Sequence, residues 1–111
     1  MPKYLFIGKY NTDGIRGVLA EGGSGRAGAA RDLVTSLGGQ VEAFYYAFGE
    51  NDFYLLADLP GSTEAIALSF AVGASGAMTY RTVVLLTPEE LDDARKLKPL
   101  FRAPYGPNTA R

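Results

Sequence analysis

The chain contains no histidine and no cysteine. The first absence removes the side chain that most often acts as general base or metal ligand near neutral pH. The second removes thiolate nucleophiles, disulfide staples and thiolate-bound zinc or iron–sulfur centres. Only carboxylates are left to hold a metal, and Glu89, Glu90, Asp92 and Asp93 read as the solvated face of a helix, so no metal and no other cofactor is expected. An excess of charge of either sign is also missing. Eleven basic residues against twelve acidic ones leave a net charge of −1, without the basic surplus that nucleic acid or an anionic membrane attracts. No apolar run approaches the roughly 18 residues of a membrane-spanning helix. The apolar opening at residues 1–7 is shorter than a signal sequence needs, so a cytoplasmic protein is the expectation.

What the chain has instead is apolar and aromatic. Apolar residues make up 47% of its 111 positions, enough for one folded domain with a modest core. The stretch that organises the rest is residues 40–59, QVEAFYYAFGENDFYLLADL, which reads as a β-hairpin. Runs of β-branched and aromatic residues at 41–48 and 53–59 flank the turn formers Gly49, Glu50, Asn51 and Asp52. Strict alternation puts Glu42, Phe44, Tyr46 and Phe48 on one face of the first run, and Val41, Ala43, Tyr45 and Ala47 on the other. Neither face is polar. A sheet apolar on both sides needs cover on both sides, and this chain has helices enough for one. A second copy is expected to supply the rest.

In order, KYLFIGKY at residues 3–10 opens as a central strand. A short helical piece at 15–20 stops at Gly22 and Gly23. A longer helix at 24–37 carries Ala27, Ala30, Leu33, Val34 and Leu37 as a stripe, with Arg26 and Arg31 off it toward solvent. After the hairpin, a helix at 63–75 ends at Gly76 and has Ile66, Phe70 and Gly73 on one side beside Ala67, Ala71 and Ala74. MTYRTVVLL at 78–86 is a fourth strand, and Thr87-Pro88-Glu89-Glu90 starts a helix reaching about residue 97. The ferredoxin-like domain thus occupies residues 1–98. Prolines 99, 104 and 107 make residues 99–111 an irregular tail, in which Leu100, Phe101 and Tyr105 are apolar enough to lie along a partner subunit. The order β-α-β-β-α-β defines an α+β, ferredoxin-like fold with an antiparallel four-stranded sheet and an extra C-terminal helix.

With these elements placed, the sequence resembles the GYD-domain family of small bacterial proteins. The likeness runs from about residue 4 to 91 and rests on YLFIGKYNTDGIRG, on GGQVEAFYYAFGENDFYLLADLPG and on ASGAMTYRTVVLLTPEEL. The family's turn reads Gly-x-Tyr-Asp; here Gly49 and Asp52 match, and Asn51 stands where the tyrosine would be. The resemblance implies a dimeric α+β barrel, in which two ferredoxin-like sheets pack face to face. Related barrel families include cofactor-free monooxygenases.

Several features are candidates for chemistry. Gly23-Ser24-Gly25-Arg26-Ala27-Gly28 matches the dinucleotide fingerprint but lacks the preceding strand, and reads as a flexible turn. Asp52 is placed to accept backbone N–H groups across the turn. Arg81, alone in an apolar strand, needs a partner if buried, for which Glu42, Asp52 and Asp58 are available. Tyr4, Phe6, Tyr10, Phe44, Tyr46, Phe48, Tyr54 and Tyr80 share one face if no bulge intervenes. The candidate ligand-binding set is therefore Tyr4, Phe6, Phe44, Tyr46, Tyr54, Tyr80, Arg81, Asn51 and Asp52, around an aromatic cavity at the sheet face. The function expected is that of a homodimer that binds a small aromatic or apolar molecule. The alternative is a cofactor-independent, monooxygenase-like or isomerase-like enzyme acting on an aromatic or polyketide-like substrate.

Overall fold

A computed structural model describes residues 1–104. The elements are β1 (Lys3–Tyr10), α1 (Thr12–Ser36), β2 (Gln40–Tyr46), β3 (Phe53–Asp58), α2 (Ser62–Ser75), β4 (Met78–Leu85) and α3 (Pro88–Ala94). The sheet order is β2-β3-β1-β4, with every neighbouring pair antiparallel. This is the ferredoxin-like α+β arrangement that the order of apolar segments predicts, with a third helix added.

Local signals explain where the elements start and stop. The Asn11 side chain accepts the Gly14 N–H at 3.0 Å and caps α1. Inside α1, Gly22 adopts φ 80° and ψ 162°, a conformation closed to residues with a Cβ, so the helix breaks there into two pieces. Residues 23–28 are helical, not a turn, because Gly22 alone absorbs the change of direction and the helix restarts directly after it. At α3, the Thr87 hydroxyl accepts from Glu90 N–H while the Glu90 carboxylate accepts from Thr87 N–H, and Pro88 takes the first helical position. That helix ends at Ala94, short of residue 97. Residues 97–103 form no regular structure, and every residue of α3 is exposed. Tyr105, Gly106 and Pro107 lie outside the described residues.

Strict alternation fails in β2. Its pairing with β3 steps from Val41↔Ala57 to Ala43↔Leu56, leaving Glu42 as the extra residue of a β-bulge. Val41 and Phe44 therefore both face the helices. β2 also ends at Tyr46. Ala47 N–H donates to Asp52 C=O at 2.9 Å to close a longer turn, and Phe48 swings fully into solvent.

The core lies between one face of the sheet and the two long helices. Phe6, Phe53, Leu55 and Ala57 meet Val34 from α1 and Ala65 and Leu68 from α2, with Leu59 sealed beneath them. Gly8 belongs to the same face; a Cβ there would lie 2.1 Å from the Phe53 ring, which occupies the space over it. α2 turns Ala65, Leu68 and Val72 inward and leaves Ile66 and Phe70 exposed, so the side that carries Ile66 and Phe70 is not the one packed on the sheet. The helix is apolar all round, so its periodicity does not select a face. No described helix is long and apolar enough to cross a membrane.

Candidate functional site

The inward aromatic rings form a continuous layer. Phe44 stacks on Phe53 with centroids 5.6 Å apart and planes 9° from parallel; Tyr10 leans on Phe53 at 5.4 Å, and Tyr46 meets Phe44 edge-on at 5.0 Å. Above this layer α1 and α2 form no close helix–helix seam. The residues of α1 facing the gap include Ala29 and Ala30, too small to fill it. A cavity of about 100 Å³ remains, floored by Phe6, Phe44, Phe53 and Leu55 and walled by Leu68 and Val72.

Polar groups gather at one end. Arg26 lines the cavity from α1, and its guanidinium meets the Glu21 carboxylate at 3.4 Å across the Gly22 break. The Tyr46 hydroxyl donates to Gly23 C=O at 2.9 Å, tying β2 to the restarted helix. Tyr10 lies beside both Tyr46 and Arg26. Burial pushes its hydroxyl up from 10.0 to about 12, Tyr46 adds to the effect, and the Arg26 charge opposes it. Tyr10 therefore stays protonated well beyond neutral pH. On the far wall the Tyr80 hydroxyl is committed to Ser69 C=O at 2.7 Å.

The predicted site residues separate onto two faces. Phe6, Phe44 and Tyr80 line the cavity, Tyr46 packs edge-on to Phe44 without lining it, and Tyr4 is sunk in the core next to Phe6. Tyr54 pairs with Ile7 and Tyr45 on the uncovered face, so the eight rings do not share one surface. The rings that share parity face the helices, not a barrel lumen. Arg81 is also on the uncovered face, exposed, and without an ion pair among the described residues. Two of the three acids expected near it are taken by Lys3, which bonds Asp58 at 2.7 Å and also bonds Glu42; these carboxylates, Asp58 foremost, raise the Lys3 pKa. With Ile7, Lys9, Asn51 and Thr79, Arg81 borders a shallow groove of about 230 Å³. Asn51 reaches the Tyr54 hydroxyl at 3.4 Å, and Asp52 accepts a backbone N–H at 2.7 Å, a structural role as expected, but from Tyr10 of β1 and not from across its own turn.

Arg26, which the stripe of Ala27, Ala30, Leu33, Val34 and Leu37 places toward solvent, also stands four residues before Ala30 and seven before Leu33, on the same helical side. That spacing was the available signal. A family model for the GYD domain matches residues 4–94. The chain belongs to the GYD domain family. No curated protein and no solved structure matches it. Within this GYD domain, Gly49 and Asp52 flank the turn that carries Asn51, and Asp52 joins that turn to β1 beside the cavity's polar end.

Proposed function

We propose that this GYD domain is a homodimeric small-molecule-binding protein whose ligand lies between the helices and the sheet. The observation that carries the reading is the space of about 100 Å³ left where Ala29 and Ala30 stand over Phe44 and Phe53. An apolar cavity of about 150 Å³ is enough to take up benzene, so a gap of this order suits one small ring or a branched chain. The enzyme alternative has less support. A fused polyketide-like substrate exceeds the space, and the polar side chains lining it at that end, Tyr10 and Arg26, are donors, while the nearby carboxylates of Glu21 and Asp52 are engaged by Arg26 and by Tyr10 N–H.

The dimer is supported by the uncovered face. Leu5, Ile7, Leu56 and Val83 share it with Tyr54 and with Tyr45, which is 71% exposed. Four strands about 4.8 Å apart and about 20 Å long present roughly 400 Å², close to the largest apolar patch that monomers usually tolerate. A two-fold axis lets that one surface serve as both partners.

Native mass spectrometry of the purified protein tests both halves. The expected result is a species of two 11.8 kDa chains carrying a small organic molecule. Ala30→Leu is expected to lose the bound mass and keep the fold, because the added side chain fills the gap. A wild-type protein that emerges as single chains without bound ligand contradicts the proposal.

A further inference from the structure

We infer that the occupant of the cavity is a small ring compound bearing one acidic oxygen group, such as a carboxylate, with its anionic end against Arg26 and the Tyr10 hydroxyl. The inference rests on the ligand cavity proposed above and names the charge of what fills it.

The walls supply hydrocarbon on every side except one. At that end donors outnumber free acceptors. Tyr46 spends its proton on Gly23 C=O and Tyr80 spends its proton on Ser69 C=O, while the Tyr10 hydroxyl is directed at Tyr46, from which a charged ligand oxygen would draw it. Arg26 brings a permanent positive charge and several N–H groups, whose ionic partner is the exposed Glu21 carboxylate at 3.4 Å. An ion pair this open contributes little, so exchanging Glu21 for a ligand carboxylate costs little. The exchange gains a shorter, charge-assisted bond in a drier place. A cation would meet Arg26 repulsively, and a phosphate dianion would bring more charge than one guanidinium neutralises. The two cations of the opposite face, Lys9 and Arg81, border an open groove, not an apolar enclosure, and so do not select a ring.

The test uses benzoate and benzamide, equal in size and different in charge, titrated at pH 7 into the full-length protein while its amide resonances are followed. Benzoate is expected to shift Tyr10, Arg26 and Ala30 and to bind about tenfold more tightly than benzamide, the worth of one charge-assisted contact. Arg26→Met, shown by its spectrum to be folded, is expected to bring benzoate down to the affinity of benzamide and to leave benzamide unchanged. Equal affinities in the wild type, both lost in Ala30→Leu, overturn the charge inference and leave the cavity standing as a binding site. A benzoate preference that survives Arg26→Met overturns the assignment to Arg26. Shifts confined to Lys9, Thr79 and Arg81 overturn the placement, and no shift at cavity residues with either probe at millimolar concentration overturns the cavity itself.

Discussion

The backbone N–H of Tyr10 donates to the Asp52 carboxylate across 2.7 Å, and Asp52 N–H returns a bond to Gly8 C=O at 2.8 Å. The end of β1 and the hairpin turn are therefore held as one unit beside the cavity. Asp52→Ala leaves a part-buried donor without its acceptor, at an expected cost of about 1–3 kcal/mol. Asp52→Asn keeps an acceptor oxygen and should lose less. Urea unfolding of the two variants checks the order; equal losses count against the bond.

Tyr10 also sets a pH dependence. Its folded-state pKa, pushed up to about 12 by burial first, lies above the ordinary 10.0, so the fold retains a proton that the unfolded chain releases. The contribution is whole below pH 10 and is lost as the pH rises through about 12. Spectrophotometric titration should show one late-ionising tyrosine, and Tyr10→Phe should remove that step.

Two glycines of α1 should respond with opposite signs. Gly17 is in helical conformation with open space around its missing Cβ, so Gly17→Ala is expected to stabilise by roughly 0.5–1 kcal/mol. Gly22 also has open space, but its φ of 80° makes Gly22→Ala a purely conformational penalty of order 1–3 kcal/mol. Thermal melting of the pair separates backbone strain from packing, since neither methyl meets a neighbour.

Charge placed on the two faces of the sheet should act differently. Leu56 lies on the uncovered face, opposite Leu5 and Ala43, so Leu56→Glu is expected to give a folded single chain near 11.8 kDa by light scattering where the wild type gives twice that mass. Phe44 stacks on Phe53 within the core side, so Phe44→Glu is expected to unfold the chain. A folded Phe44→Glu protein contradicts this division of the faces.

The parts of this fold that could be read from sequence are those fixed by neighbours in the chain. The break at Gly22, the end of α2 at Gly76 and the Thr87–Glu90 cap each depend on a few adjacent residues, and each is where local chemistry puts it. The composition of the cavity was less accessible. Glu42 shifts β2 by one position, which sends Val41 to join Phe44 and makes a parity count across the strand unreliable. Tyr54 was grouped with Phe44 and Tyr46, but the pairing of Tyr54 with Tyr45 and Ile7 puts it on the other side. The gap over the sheet depends on how far apart α1 and α2 stand, a tertiary distance that alanine content alone does not encode. Arg26 illustrates the same limit: its spacing to Ala30 and Leu33 was visible, while the opening beside it was not.

The bulge at Glu42 also limits how this family can change length. Only residues 37–39 connect α1 to β2, so the one spare position of the strand is the bulged residue Glu42 itself. Deleting Glu42 would leave Gln40↔Asp58, Val41↔Ala57 and Ala43↔Leu56 as an unbroken ladder with Val41 still over the core, at the loss of one of the two acids that Lys3 holds. Insertions and deletions among relatives should therefore fall at Glu42, in residues 47–52 or beyond Leu86, where Phe48 and α3 already stand clear of the core, and an alignment that opens a gap elsewhere inside β2 misplaces every side chain on one side of it.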